Sequence, residues 1–276
     1  MTSTAGSTTL LGRPVRRAAV VTHGRLETIG AAVERVREVA AQTGVEILLE
    51  SDELVDVDLA VVLGGDGTML RALTRFLGAR VPVLGVNFGR VGFLSSMTQG
   101  ELESGLTRVF SGEYDVVELP TLDVETADAR HVAVNDAVVT SGELGRMVEL
   151  EWAVGGEDLG RQPCDGVICS TPSGSTAYNL SNGGPVLVWG IDAMAITFVA
   201  PHSLHARPLV VPRGRDLVVS NRTADVPVAV LVDGHRVADA SPRDGEVTIR
   251  LGEVHSLLAT LPEATFVRRY RQSFAS

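Results

Sequence analysis

Two domains of different class are expected: an N-terminal open parallel α/β domain of Rossmann-like kind, then a C-terminal β-rich, sandwich-like domain. Three observations predict this. Short apolar runs alternate with amphipathic stretches up to about residue 110, and β-branched runs of period two take over from Tyr114. The 276 residues, 45% hydrophobic and 4% aromatic, suffice for aliphatic cores in both. The change falls near Pro120, giving domains 1–119 and 120–263, with 264–276 a basic helix returning to the first.

Taken in order, residues 1–15 read as a loose polar tail and Arg17 to Thr22 as a buried-type strand. A helix follows from Leu26 to Thr43, because Ile29, Ala32, Val33, Val36, Val39 and Ala40 recur on one face. Val45–Leu49, Leu59–Leu63 and Val81–Val86 are further strands, Met69–Leu77 and Leu102–Phe110 helical. In such a sheet, ligands collect at the carboxyl ends of the strands. Three loops there, at His23–Arg25, Gly64–Thr68 and Asn87–Gly92, are expected to converge. Beyond Pro120, strands are expected at 122–125, 132–140, 148–154, 166–169, 195–200, 217–220, 226–232, 247–251 and 256–261.

The net charge of −10 argues against a nucleic-acid surface, and no apolar run is long enough to span a membrane. All 24 basic residues are Arg, so a phosphate loop built around a lysine is excluded. Cys164 and Cys169 stand at odd spacing in one extended stretch, on opposite faces, which disfavours a disulfide. With no signal-peptide pattern in Met1–Thr9, a cytoplasmic location follows.

The chemistry centres on Gly64-Gly65-Asp66-Gly67-Thr68. Glycines at a strand-to-helix turn let backbone approach a ligand, and the free N–H groups of a helix start favour phosphate oxygens. Asp66 would repel those oxygens unless it meets a metal ion or a hydroxyl about to lose its proton. Phosphoryl transfer to an alcohol accounts for an acid inside a phosphate loop; the plainer reading is a turn with Asp66 near the N-cap. Arg25, Arg90 and Arg207 adjoin strand ends or extended segments and are candidate phosphate ligands. His202 and His205 lie three apart without a further ligand at site spacing, which makes zinc a poor reading.

A second signature runs from Asp165 through Ser170-Thr171-Pro172-Ser173-Gly174-Ser175-Thr176-Ala177-Tyr178-Asn179-Leu180-Ser181 to Pro185. A strand ends there in hydroxyls, Pro and Gly, and a helix begins near Thr176. Tyr178 could stack on a base. With GGDGT at 64–68, VNFGRVGFL at 86–94, Asn135-Asp136 and PHSLHARPLVVP at 201–212, in that order, the chain resembles the NAD kinase family over most of residues 17–270. The resemblance implies phosphoryl transfer from ATP, or in some members inorganic polyphosphate, to the 2′-hydroxyl of the adenosine ribose of NAD. A divalent metal, Mg²⁺ by default, would assist. It implies Asp66 as the catalytic carboxylate, and Gly64, Gly65, Gly67 and Thr68 around the phosphates. Asn135 and Asp136 would hold the adenosine, and Asp165, Ser173, Thr176, Ala177, Tyr178, Ser181, Arg71, Arg146 and His235 match further NAD-contacting positions. A homodimer or homotetramer is implied as well. This chain departs from the family at Asp136, where Glu is usual, and at Pro163 and Cys164. A lipid kinase sharing only the GGDGT loop and a non-catalytic dinucleotide sensor are the alternatives. The long hydroxyl-rich signature disfavours the first, and Asp66 the second.

Overall fold

A computed structural model of the chain describes residues 9–22, 26–49, 55–88, 92–240 and 245–274. The chain forms two compact units, 1–119 with 255–276, and 120–254.

The first unit holds β1 (Thr9–Leu11), β2 (Arg17–Thr22), α1 (Leu26–Thr43), β3 (Glu46–Leu49), β4 (Leu59–Leu63), α2 (Asp66–Arg75), β5 (Val83–Asn87), β6 (Met97–Thr98), α3 (Leu102–Phe110) and the start of β7 (Asp115–Glu125). Four strands run parallel in the order β5–β4–β2–β3. β4 and β5 are buried along their whole length, as continuous apolar runs require when both faces are covered. The expected apolar stripe of α1, from Ile29 to Ala40, is buried. Arg35 of α1 grips Glu103 of α3 through Nε and Nη2 at 2.5 and 2.8 Å. Chain progress reverses direction between β2 and β4, so a crevice opens beyond their carboxyl ends, at Thr22 and Leu63.

The second unit comprises the rest of β7, then β8 (Arg130–Ala133), β9 (Asp136–Ser141), β10 (Val148–Val154), β11 (Glu157–Cys164), β12 (Gly166–Ser170), α4 (Tyr178–Ser181), β13 (Ala193–Val199), β14 (Leu209–Pro212), β15 (Leu217–Asn221), β16 (Val228–Val232), β17 (His235–Ala240) and the first part of β18 (Glu246–Thr260). A six-stranded antiparallel sheet runs β14–β13–β12–β9–β16–β17. Its inward residues Val139, Val167, Ile196 and Val230 share one core with Leu150, Val219 and Ile249 of the antiparallel set β11–β10–β15–β18. That is the sandwich arrangement. The last residues of β18 pair in parallel with β5 in the first unit, where α5 (Phe266–Phe274) also lies.

Four expectations need correction. Residues 9–11 are not loose tail: β1 pairs antiparallel with β7, Thr9 opposite Val117. β7 itself runs straight through Pro120, the residue at which the two units divide. The single strand expected over 132–140 breaks at Val134 and Asn135, and β18 (Glu246–Thr260) is one strand in place of the two expected at 247–251 and 256–261. Cys164 and Cys169 belong to different strands and enter the same core. Both are free thiols, and burial pushes that of Cys164 up to about 12 and raises that of Cys169 as well. Among the described residues no helix is long and apolar enough to cross a membrane.

Candidate active site

Gly64 to Thr68 leaves β4 at the crevice and turns at once into α2, whose first residue is Asp66. Gly65 is the N-cap in extended conformation, with no side-chain cap. The first N–H groups of a helix have no intrahelical acceptor. Those of Thr68 and Met69 fold back on the Gly65 carbonyl at 2.9 and 3.0 Å, while those of Asp66 and Gly67 make no hydrogen bond among the described residues. Gly65 and Gly67 are exposed, and a Cβ on either would meet nothing within 4 Å. The helix start therefore presents open, positively polarised backbone, a ready seat for phosphate oxygens. Gly64 differs: a Cβ there would strike Thr68 Oγ1 at 2.7 Å.

The Asp66 carboxylate is half-buried and fixed from one side. Phe93 N–H donates to Oδ2 at 2.7 Å and Leu94 N–H to Oδ1 at 3.1 Å. The turn carrying those donors approaches so closely that a Cβ on Gly92 would sit on the carboxyl group, 2.6 Å from its Cγ. Arg71, one turn along α2, is exposed and donates to the Thr22 carbonyl at 2.5 Å, on the other lip of the crevice. Arg25 and Arg90 lie outside the described residues, as do most of the His23–Arg25 and Asn87–Gly92 loops.

In the second unit, the strand break at Val134 and Asn135 is stitched by a residue that sequence reasoning passed over. Asp233 turns the β16–β17 hairpin with φ 49°, followed by Gly234 with φ 80°. Its carboxylate accepts N–H bonds from Val134 (2.9 Å), Asn135 (2.7 Å) and Asp136 (3.2 Å). The Asp-Gly pair signals the hairpin in the sequence, but nothing there signals an inward carboxylate. Asn135 Oδ1 is buried with no partner among the described residues, an acceptor waiting for a donor. Asp136 beside it is buried too: desolvation first, and the neighbouring Asp233 charge second, push its carboxyl up to about 7. Asp233 is also raised by burial, against the lowering pull of its three N–H bonds. His235 is exposed, its Nδ1 3.1 Å from the Asp233 carbonyl.

The hydroxyl-rich stretch is largely a scaffold. Ser173 Oγ donates to the Val134 carbonyl at 3.0 Å, Thr171 Oγ1 to the same carbonyl at 2.7 Å, and Ser175 Oγ to that of Pro172 at 2.7 Å. These bonds tie the stretch to Val134, directly before the Asn135-Asp136 pair. Asn179, fully buried, crosslinks Ser175, Pro185 and Thr197 at 2.7–3.0 Å, and a Cβ on Gly184 would collide with its amide. The helix expected from Thr176 is only a 3₁₀ turn, Gly174–Thr176, and the four residues of α4. Thr176 and Ala177 are half-buried, and Tyr178 and Ser181 are exposed at its outer face. Asp165 is not gathered with these residues. It precedes the first residue of β12, whereas Ser170, the last, pairs with Asp136, so roughly 15 Å of strand separates them. Arg146 stands at the Asp165 end, in the turn after β9, where it pairs with Asp225 at 3.1 Å. Arg207 is exposed and donates to the Leu204 and Ala206 carbonyls.

Comparisons with known proteins match both halves of the chain. Residues 21–114 match the ATP-NAD kinase N-terminal domain and 134–260 the ATP-NAD kinase C-terminal domain. The NAD kinase of Symbiobacterium thermophilum is 38% identical over 262 residues, 91% of each chain, and NAD kinase 2 of Streptomyces avermitilis 36% identical over all of this chain and 96% of its own. An NAD kinase from Archaeoglobus fulgidus, solved in complex with ATP, shares 30% identity with a TM-score of 0.78, covering 94% of this chain and 97% of that one. Yeast NADH kinase, solved with NADH, has the same fold at 24% identity, with a TM-score of 0.82 over 95% of this chain and 88% of that one. The chain belongs to the ATP-NAD kinase family and is a phosphotransferase of that class.

Proposed function

We propose that the chain phosphorylates the 2′-hydroxyl of the adenosine ribose of NAD, giving NADP, with ATP as donor and Asp66 as the group that orients and deprotonates that hydroxyl. One observation carries this: Asp66 places a carboxylate at the same helix start whose Asp66 and Gly67 N–H groups stand open. The N–H groups suit the donor phosphates. The carboxylate, held from behind by Phe93 and Leu94, keeps its remaining lone pairs for the acceptor hydroxyl. Neutralising donor charge falls to Gly64, Gly65, Gly67, Thr68 and the Arg groups, with Arg71 at the crevice.

A donor set of one carboxylate beside backbone N–H groups fits a divalent ion held mainly by phosphate oxygens and water, as Mg²⁺ is. When bound, such an ion neutralises charge on the transferred group. For the acceptor, the unpartnered Asn135 Oδ1 and the buried Asp136 are matched to the amino and hydroxyl donors of adenosine. Thr176, Ala177, Tyr178 and Ser181 line the same stretch, and Asp165, Arg146 and His235 are assigned to NAD by family pattern. A homodimer or homotetramer is supported by exposed Leu144, Met147, Val188, Ile191 and Leu204 in the second unit. Free buried thiols support the cytoplasm as location.

The test is NADP formation by the purified protein from NAD, ATP and Mg²⁺, read with an NADP-specific dehydrogenase, beside Asp66→Asn. Wild-type turnover with a variant slowed by about 10²–10⁴-fold that still binds NAD supports the assignment. A wild type that binds NAD yet forms no NADP with ATP or polyphosphate sinks it and leaves a dinucleotide sensor.

A further inference from the structure

Arg269 lies at the centre of α5, a helix that reads from sequence as basic, yet this residue is only 4% accessible. A guanidinium has five N–H donors in a rigid fork, and burying it is costly unless they are satisfied. Here the fork is filled with uncharged acceptors. Nε donates to the Ala264 carbonyl at 3.0 Å, Nη1 to the carbonyls of Phe93 (3.0 Å) and Ser95, and Nη2 to Ser96 Oγ (3.1 Å) and Thr260 Oγ1 (2.9 Å). Desolvation lowers this guanidinium to about 10, with the Asp66 charge opposing the drop, so it remains a cation at neutral pH and within electrostatic reach of Asp66.

Docking of α5 does not by itself call for that cation. Phe266 already packs edge-on against Phe93, centroids 5.2 Å apart, and Phe274 stacks on it at 6.1 Å. What the guanidinium adds is control of single peptide planes. The Phe93 carbonyl that accepts from Arg269 belongs to the same peptide unit as the Leu94 N–H that donates to Asp66 Oδ1. A peptide unit is planar, so fixing its oxygen fixes the direction of its N–H, and a charged donor on the oxygen polarises the N–H further.

We propose that Arg269 is a positioning residue for Asp66, acting through the Phe93–Leu94 peptide to set the direction and strength of the N–H bonds that hold the carboxylate toward the acceptor hydroxyl. The inference rests on the reading of Asp66 as the base. It predicts that loosening Arg269 slows the chemical step without weakening NAD capture.

The experiment compares the full chain with Arg269→Gln, Arg269→Lys, Ser96→Ala, Asp66→Asn and the Asp66→Asn, Arg269→Gln double variant, measuring kcat, KM for NAD, NAD affinity and Tm. Arg269→Gln is expected to lower kcat on the order of 10- to 100-fold with KM for NAD within about twofold. Arg269→Lys should recover part of kcat, and the double variant should be no slower than Asp66→Asn alone, because the two act as one unit. Ser96→Ala keeps the cation and loses one anchor, so a smaller fall in kcat alone is expected; it carries the test together with Arg269→Lys if the Gln variant does not fold. Unchanged kcat in folded Arg269 variants, or losses that multiply in the double variant, overturns the role of Arg269 while a crippled Asp66→Asn leaves the base assignment standing. An unaffected Asp66→Asn removes the base assignment and this inference with it.

Discussion

Two stretches of this chain carry dense polar sequence, and they handle it in opposite ways. The turn at Gly64–Thr68 leaves the N–H groups of Asp66 and Gly67 without a hydrogen bond among the described residues, and Gly65 and Gly67 face empty space. The stretch from Thr171 to Pro185 turns its hydroxyls and the Asn179 amide inward until Thr171, Ser173, Ser175 and Asn179 are all buried and bonded. Polar groups without protein partners at a strand end are available for chemistry, whereas polar groups bonded to backbone carbonyls fix the shape of a surface. The second stretch thus acts as a scaffold that ties itself to Val134, directly before Asn135 and Asp136.

Substitutions that add or remove a few atoms on either side sharpen the contrast. Gly92→Ala drives a methyl onto the Asp66 carboxyl group and displaces it; kcat for NADP formation should fall about 100-fold or more. Asn179→Ala, in the sealed stretch, strands the Ser175 and Pro185 carbonyls and the Thr197 hydroxyl. Urea unfolding should show a loss of about 2–4 kcal/mol, and a loss under about 0.5 kcal/mol would mean the stretch is not the scaffold described. Gly67→Ala, in the open turn, should raise stability by roughly 0.5–1 kcal/mol through helix propensity while raising KM for ATP, since its Cβ enters the open space proposed for the donor phosphates.

Acid–base behaviour gives a further comparison. Asp136 carries a folded-state value of about 7 against an ordinary 3.8, so the fold favours its neutral form. Ionisation therefore costs stability as pH rises from about 4, and the penalty is complete above about 7. Binding should run the other way, because the carboxylate accepts ribose hydroxyls at both oxygens and more strongly than the neutral acid does. KM for NAD should fall about tenfold between pH 6 and 8 and level off above, and Asp136→Asn should flatten that profile. A wild-type KM that is constant across this range would show that Asp136 does not face the acceptor.

The parallel sheet was legible because its strands are covered on both faces: β2, β4, α1 and α3 lie where periodicity puts them. Among the strands that went unread are β1, β11, β14 and β17, each at an edge of its sheet, where one side needs no partner and the apolar pattern fades. β11 even accommodates Pro163 and Gly160 with φ 85°. In the candidate site, the turn around Asp66 was legible because its glycines and the helix it opens are adjacent in sequence, and the Asn135-Asp136 pair because both residues stand together at a strand end. Asp233 and Arg269 were not, since each acts on peptide groups about 100 or more residues away and an inward charge has no local signature.

The two cysteines provide a practical handle. Fully enclosed in the sandwich core, at Cys164 and Cys169, they are shielded from thiol reagents while the second unit stays folded. Alkylation under native conditions then proceeds only through opening of that core, and its rate counts how often the unit opens. Adding NAD or ATP separately and timing the alkylation would tell which ligand the second unit holds, without any catalytic turnover.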